Sequence, residues 1–143
     1  MREEYISLKR KSFRPKKHFG QHFLYDPAIA AKIVDAVGLS EERTVIELGP
    51  GKGILTRPLS QRCRRVIALE VDRELHAALT EEFSGPAADT GESTRGVEVL
   101  NVDFTKISLT GILTARGLDR CVLIGNIPYN LTRDVLFSFL VDE

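Results

Sequence analysis

The chain has 143 residues, 43% of them hydrophobic and 28% charged, with a formal net charge of zero, which is the composition of one globular domain. No apolar run approaches the roughly 20 residues of a membrane span, and the N-terminus lacks an apolar signal core, so a cytoplasmic protein is expected in preference to a membrane or secreted one. Cys63 and Cys121 have no metal-ligand spacing and suit a reducing compartment.

The charge is unevenly placed. Residues 1–20 hold seven Lys/Arg against Glu3 and Glu4, a local +5 that leaves the remainder at −5. Residues 1–17 carry no sustained pattern and read as a flexible basic arm, either a solvated tail or a contact for nucleic-acid phosphates. His18-Phe19-Gly20-Gln21-His22-Phe23-Leu24 follows. The two histidines are four apart, but Phe19 stands where a zinc protease needs Glu and no third ligand is in view, so no metal is expected. Asp26-Pro27 reads as an N-cap and first helical position. Ile29, Ile33, Val34 and Val37 keep helical spacing, and Gly38 is the stop.

Thr44–Leu48 is the first predicted strand and runs into Gly49-Pro50-Gly51-Lys52-Gly53. Ile54, Leu55, Leu59 and Cys63 then predict a helix. A strand, a glycine turn and a helix bring backbone N–H groups close to a ligand, although such turns also serve packing. The spacing is neither that of the dinucleotide fingerprint nor of a P-loop. A second strand, Val66–Glu70, ends in an acid 21 positions after Gly49. Glu70 there is either a ribose acceptor or the starting acid of the helix Arg73–Phe83. Ser84–Gly96 reads as a surface excursion.

Val97–Asn101 is the third strand. Asp103 just beyond it either accepts from a nucleobase amino group or caps the next turn. A weak helix spans Ile107–Leu118. Cys121–Gly125 is the fourth strand, and Thr132 is expected to cap a final helix through Val135, Leu136, Phe139 and Leu140. Strand and helix alternate four times, with acids or amides at successive strand ends. That is half of a doubly wound parallel α/β sheet.

A glycine loop, a ribose acid and a base-contacting acid suit either NAD or S-adenosyl-L-methionine. Asn126-Ile127-Pro128-Tyr129 at the fourth strand's carboxyl end decides for the second, because methyl transfer to an aromatic amine has a use for it. The Asn126 side-chain oxygen and the Ile127 carbonyl can accept from the amine and favour a pyramidal nitrogen. Pro128 fixes the turn, and Tyr129 can stack the base, a contact worth about 1–3 kcal/mol. The sulfonium is reactive enough that positioning does most of the work.

The segments HFGQHFL, ELGPGKG, ALEVD, NVDF and GNIPYN stand in the order seen in ribosomal RNA adenine-N6,N6-dimethyltransferases, which the chain resembles over about residues 14–140. The resemblance implies a class I methyltransferase (Rossmann-like) fold. It also implies dimethylation of two adjacent adenosines near the 3′ end of small-subunit rRNA, on the immature subunit. It places His22 and Leu24 along the S-adenosylmethionine site, Gly49 at the methionine portion, Glu70 at the ribose and Asp103 at the adenine. Asn126 would sit by donor and target amine, with Tyr129 against the target base.

Position 127 is Ile where this family more often has Leu, and Asn-Ile-Pro-Tyr is also familiar from the Erm large-subunit rRNA methyltransferases, the alternative reading. The family continues past the equivalent of Glu143 with three more strands and a helical domain. The chain is therefore expected to be the N-terminal portion of the catalytic domain, weakly active by itself. An open edge at Cys121–Gly125 would invite self-association. Competing readings are a binding-only relative, which could lose Asn126 or Tyr129, and a methyltransferase acting on DNA or protein glutamine.

Overall fold

The computed structural model describes residues 24–84 and 96–140. The basic arm, His18, His22 and most of the 84–96 excursion lie outside the described residues. Helix α1 (Pro27–Ala36) starts where Asp26 accepts the Ala28 N–H at 2.8 Å, with Pro27 in its first turn. It ends at Gly38, whose φ of 62° is the left-handed conformation that glycine adopts without strain.

Four strands follow in alternation with helices: β1 (Thr44–Leu48), α2 (Thr56–Arg62), β2 (Arg65–Leu69), α3 (Arg73–Phe83), β3 (Gly96–Leu100), α4 (Leu109–Thr114), β4 (Val122–Gly125) and α5 (Tyr129–Leu140). All pair in parallel in the order β3-β2-β1-β4. The strands are apolar on both faces at most positions because both faces are covered. On one face Val45, Val66, Val122 and Ile124 meet Ala30, Val34, Leu55 and Leu59 of α1 and the α2 region. On the other, Ile46, Leu48, Ile67 and Leu69 meet Phe104, Leu109 and Val135.

The element order agrees with the sequence reading, strands β2, β3 and β4 start or end one residue away from the expected Val66–Glu70, Val97–Asn101 and Cys121–Gly125, and two helices differ further. Helix α4 is six residues long, not the twelve of Ile107–Leu118, and Gly117 (φ 62°) closes its end. Helix α5 begins at Tyr129, ahead of the expected Thr132 cap, with the Leu131 N–H bonding back to the Pro128 carbonyl. Proline's fixed φ suits a helix start, so the turn at 128 feeds directly into the helix. Glu70 lies one residue past β2, not within it.

From β1 the chain moves outward to β2 and β3, then crosses back to β4 on the other side. The topological switch point is therefore the gap between the carboxyl ends of β1 and β4, where ligands bind in such sheets. Gly49 follows one strand and Asn126 the other.

Candidate active site

The ladder continues one step past each strand on the β2 side. The Gly49 N–H donates to the Leu69 carbonyl at 3.0 Å, and the Glu70 N–H to the Leu100 carbonyl at 2.9 Å. These bonds fix the backbone at the first residues of the site. Gly49, Gly51 and Gly53 all have positive φ (63°, 58° and 77°), so the β1–α2 turn folds back on itself in a shape that side chains at these positions would strain.

Glu70 braces this turn. It is 1% exposed, one carboxylate oxygen accepting the Gly51 N–H at 3.0 Å and the other the Asp72 N–H at 2.9 Å. The cap of α3 is Asp72, whose Oδ1 accepts from Glu74 and Leu75, so Glu70 is not the helix-starting acid. Burial raises the Glu70 pKa, and the two N–H bonds oppose that shift. Each oxygen keeps a second lone pair, the capacity a ribose diol requires. Asn101 reaches across from the end of β3 and donates to the Glu70 carbonyl at 2.9 Å.

A methyl group built on Gly49 would lie 3.9 Å from both Ile127 Cγ2 and Phe104 Cε1. The ends of β1, β3 and β4 thus converge on one spot. Gly125 approaches still closer to β1, since a Cβ there would stand 2.6 Å from the Leu48 carbonyl oxygen. Asn126 and Tyr129 are exposed, Tyr129 at 92%, which leaves its ring face open to a flat partner. Pro128 is half-buried between them, and Leu24 packs on the α1/α2 side of the core.

Asp103 is half-buried, with Oδ1 accepting from the Thr105 hydroxyl (2.6 Å) and N–H (3.0 Å) and Oδ2 3.5 Å from Lys106. The hydroxyl bond leads in holding its pKa below the ordinary range, so it stays ionised. This is the turn-capping geometry, and the carboxylate retains lone pairs for a second partner. It sits one residue from Phe104.

Two features escaped the sequence reading. Glu47, 1% exposed, accepts the Thr56 hydroxyl at 2.7 Å, and burial foremost pushes its pKa up to about 7. Its pattern position gave a hint: it is the second residue past Val45, so it faces α2, where an acid must find a donor. The other is Lys52, whose ammonium lies 5.7 Å from the centroid of the Tyr25 ring. The described residues include no cluster of three His, Cys, Asp or Glu able to hold a metal, and no helix long and apolar enough to cross a membrane. A groove of about 520 Å³ lined by Arg65, Glu98 and Arg116 lies at the amino-terminal edge of the sheet, away from this site.

The family model for "Ribosomal RNA adenine dimethylase" matches residues 12–142. The chain is 40% identical over 138 residues to the ribosomal RNA small subunit methyltransferase A of Moorella thermoacetica, covering 95% of this chain and 46% of the relative. It is 35% identical over 133 residues to the protein of the same name from Geobacter metallireducens, covering 93% and 46%. Among solved structures it resembles the 23S rRNA methyltransferase ErmE at 30% identity and a TM-score of 0.66, covering 84% of this chain and 43% of that one. The chain spans a little under half the length of these relatives. With a parallel sheet, the switch-point convergence and a family match over nearly all its residues, the chain belongs to the ribosomal RNA adenine dimethylase family and has the class I methyltransferase fold.

Proposed function

We propose that the chain serves S-adenosylmethionine-dependent N6-dimethylation of adenosines in small-subunit rRNA, acting on the immature subunit in the cytoplasm. The observation that carries this is the convergence of Gly49, Phe104 and Ile127 beside a buried Glu70 that already accepts the Gly51 N–H. The described residues fit the cofactor: Glu70 for the ribose hydroxyls, Asp103 for the adenine amino group, Gly49 and Gly51 as a turn with no side chain in the way, and Leu24 along its flank, to which the family resemblance adds His22. The cofactor supplies an electrophilic methyl group.

The chain's own part is to hold the acceptor. Asn126 Oδ1 and the Ile127 carbonyl accept from the adenine amine, which turns its lone pair out of the ring system. Tyr129 stacks the base from its exposed position at the start of α5. The base must leave its own stack to reach that ring, which favours an RNA loop or helix end. The basic arm contacts phosphates.

The test is calorimetric titration with S-adenosylhomocysteine, with NAD alongside. Binding of the first alone is expected, weakened about 100-fold by Glu70→Ala and less by the isosteric Glu70→Gln. NAD binding, or unchanged affinity in both variants, would overturn the cofactor assignment. A second reading, methylation of large-subunit rRNA, is favoured by the likeness to ErmE. Mapping methyl incorporation on unmodified small and large subunits distinguishes the two. In either case Asn126→Ala is expected to abolish transfer while leaving RNA binding intact.

A further inference from the structure

The edge of the sheet opposite the site carries an arginine at the entry to three of its strands. Arg43 stands one residue before β1, Arg64 one before β2 and Arg120 two before β4. Thr44 pairs with Arg65 and Val45 with Val122, so the same register carried back to position 43 sets Arg120, Arg43 and Arg64 in one row. The ladder does reach that row, since the Gly96 N–H donates to the Arg64 carbonyl at 3.1 Å. Neighbouring strands place such residues about 4.8 Å apart at the backbone. All three are exposed, as is Arg65 next to them, which lines the groove of about 520 Å³ at the β3 side.

Folding alone gives no reason for the row, because like charges on adjacent strands repel. Other arginines of this edge have a structural task. Arg62 pairs with Asp35 at 2.7 Å, and Arg116 holds Glu98 through two nitrogens. Among the described residues no salt bridge holds Arg43, Arg64 or Arg120. Exposed Glu41, Glu42 and Asp119 flank Arg43 and Arg120 in the chain and soften the field there, whereas Arg64 has Arg65 beside it. Cations also offset helix dipoles, but that effect fades beyond the last turn. Arg62 closes α2, while Arg43 and Arg120 lie several residues past the ends of α1 and α4. A row of guanidinium forks with no carboxylate partner suits a chain of phosphates better than one small anion. We propose that this edge is a second RNA contact, where Arg120, Arg43 and Arg64 bind the phosphodiester backbone of the rRNA. The five-residue β1 sets it about 17 Å from the reacting end, so a folded RNA would be gripped from behind as well. Naming the RNA as ribosomal rests on the function proposed above.

The experiment is filter binding of unmodified small-subunit rRNA over a series of salt concentrations. The variant with Arg43→Gln, Arg64→Gln and Arg120→Gln together is expected to bind about tenfold more weakly. Its salt slope should be shallower by about 2 to 3. Lysine at the same three positions keeps the charge and is expected to retain most of the affinity and slope. Affinity for S-adenosylhomocysteine should be unchanged, and the glutamine variant should melt no lower than the parent because a repulsion has been removed. Unchanged RNA affinity and slope, or a loss that tracks a lowered melting temperature, would overturn the proposal. So would a parent chain that binds no RNA. If the parent binds RNA through this row but takes no S-adenosylhomocysteine, the methyl-transfer reading falls and the RNA surface stands. Intact cofactor binding with an RNA affinity indifferent to the row removes only the surface.

Discussion

A carboxyl group buried away from water binds its proton tightly, here against the opposing pull of a threonine hydroxyl, and Glu47 therefore couples folding to pH. Its ordinary value is 4.5 and burial foremost raises it to about 7 in the fold. Between these values the unfolded chain has released the proton that the folded chain keeps. Stability thus declines as pH rises from about 4.5 to 7 and levels off above that, by about 3 kcal/mol at most. Glu70 is raised too and acts in the same sense. Glu98, lowered chiefly by its Arg116 partner, acts in the opposite sense and only in more acid solution. Thermal unfolding between pH 5 and 8 is expected to show this slope in the parent chain and much less of it in Glu47→Gln, which should be the more stable of the two at pH 8. Parallel slopes would assign the effect elsewhere.

At the scale of elements, the strands were the most legible part of the sequence. Val45-Ile46 and Val66-Ile67-Ala68-Leu69 are apolar on consecutive positions because each strand is covered on both faces, and nothing local competes with that signal. Helix α1 was equally plain, since Asp26 and Gly38 mark its ends by chemistry that acts within a few residues. Helix α4 was overestimated because its apolar residues, Ile107 and Leu118 among them, pack on the core from outside the helix. The start of α5 was missed because Asn126 and Pro128 read as loop. The strand-end positions of Glu70 and Asn126 could be read from the sequence. The pairs Glu47–Thr56 and Lys52–Tyr25 could not, since they depend on how a glycine turn folds back. One exchange tests the weak helix directly: Gly111→Ala in α4, where an added Cβ would meet Ser108 Cβ at an ordinary 3.5 Å. It is expected to stabilise the chain by about 0.5–1 kcal/mol in denaturant titration. Destabilisation would mean that the short helix is held by packing that has no room for the methyl.

For the molecule as a whole, the sheet is lopsided. Among the described residues β4 pairs with β1 alone, so a strand of half-buried Val122, Leu123 and Ile124 carries one row of backbone groups toward no described strand. Leu136 and Phe137 of α5 are 57% and 53% exposed. An apolar edge of this kind templates pairing with another chain. Sedimentation over a micromolar concentration series is expected to show the 143-residue chain shifting from monomer to larger species. A constant monomer mass across the series would show the edge to be inert.

The close seating of Gly125 on β1 gives that same strand pair a second meaning. Leu48 stands opposite Gly125 in the ladder, and one residue further on each strand are Gly49 and Asn126. A slip of one residue would carry Asn126 about 3.3 Å along the strand and swing it to the other face. The methyl transfer proposed above requires far closer placement than that. On that proposal the hydrogen-bond ladder acts as the instrument's scale: the reach from donor to acceptor is graduated in peptide units and zeroed by a glycine tightly fitted against β1.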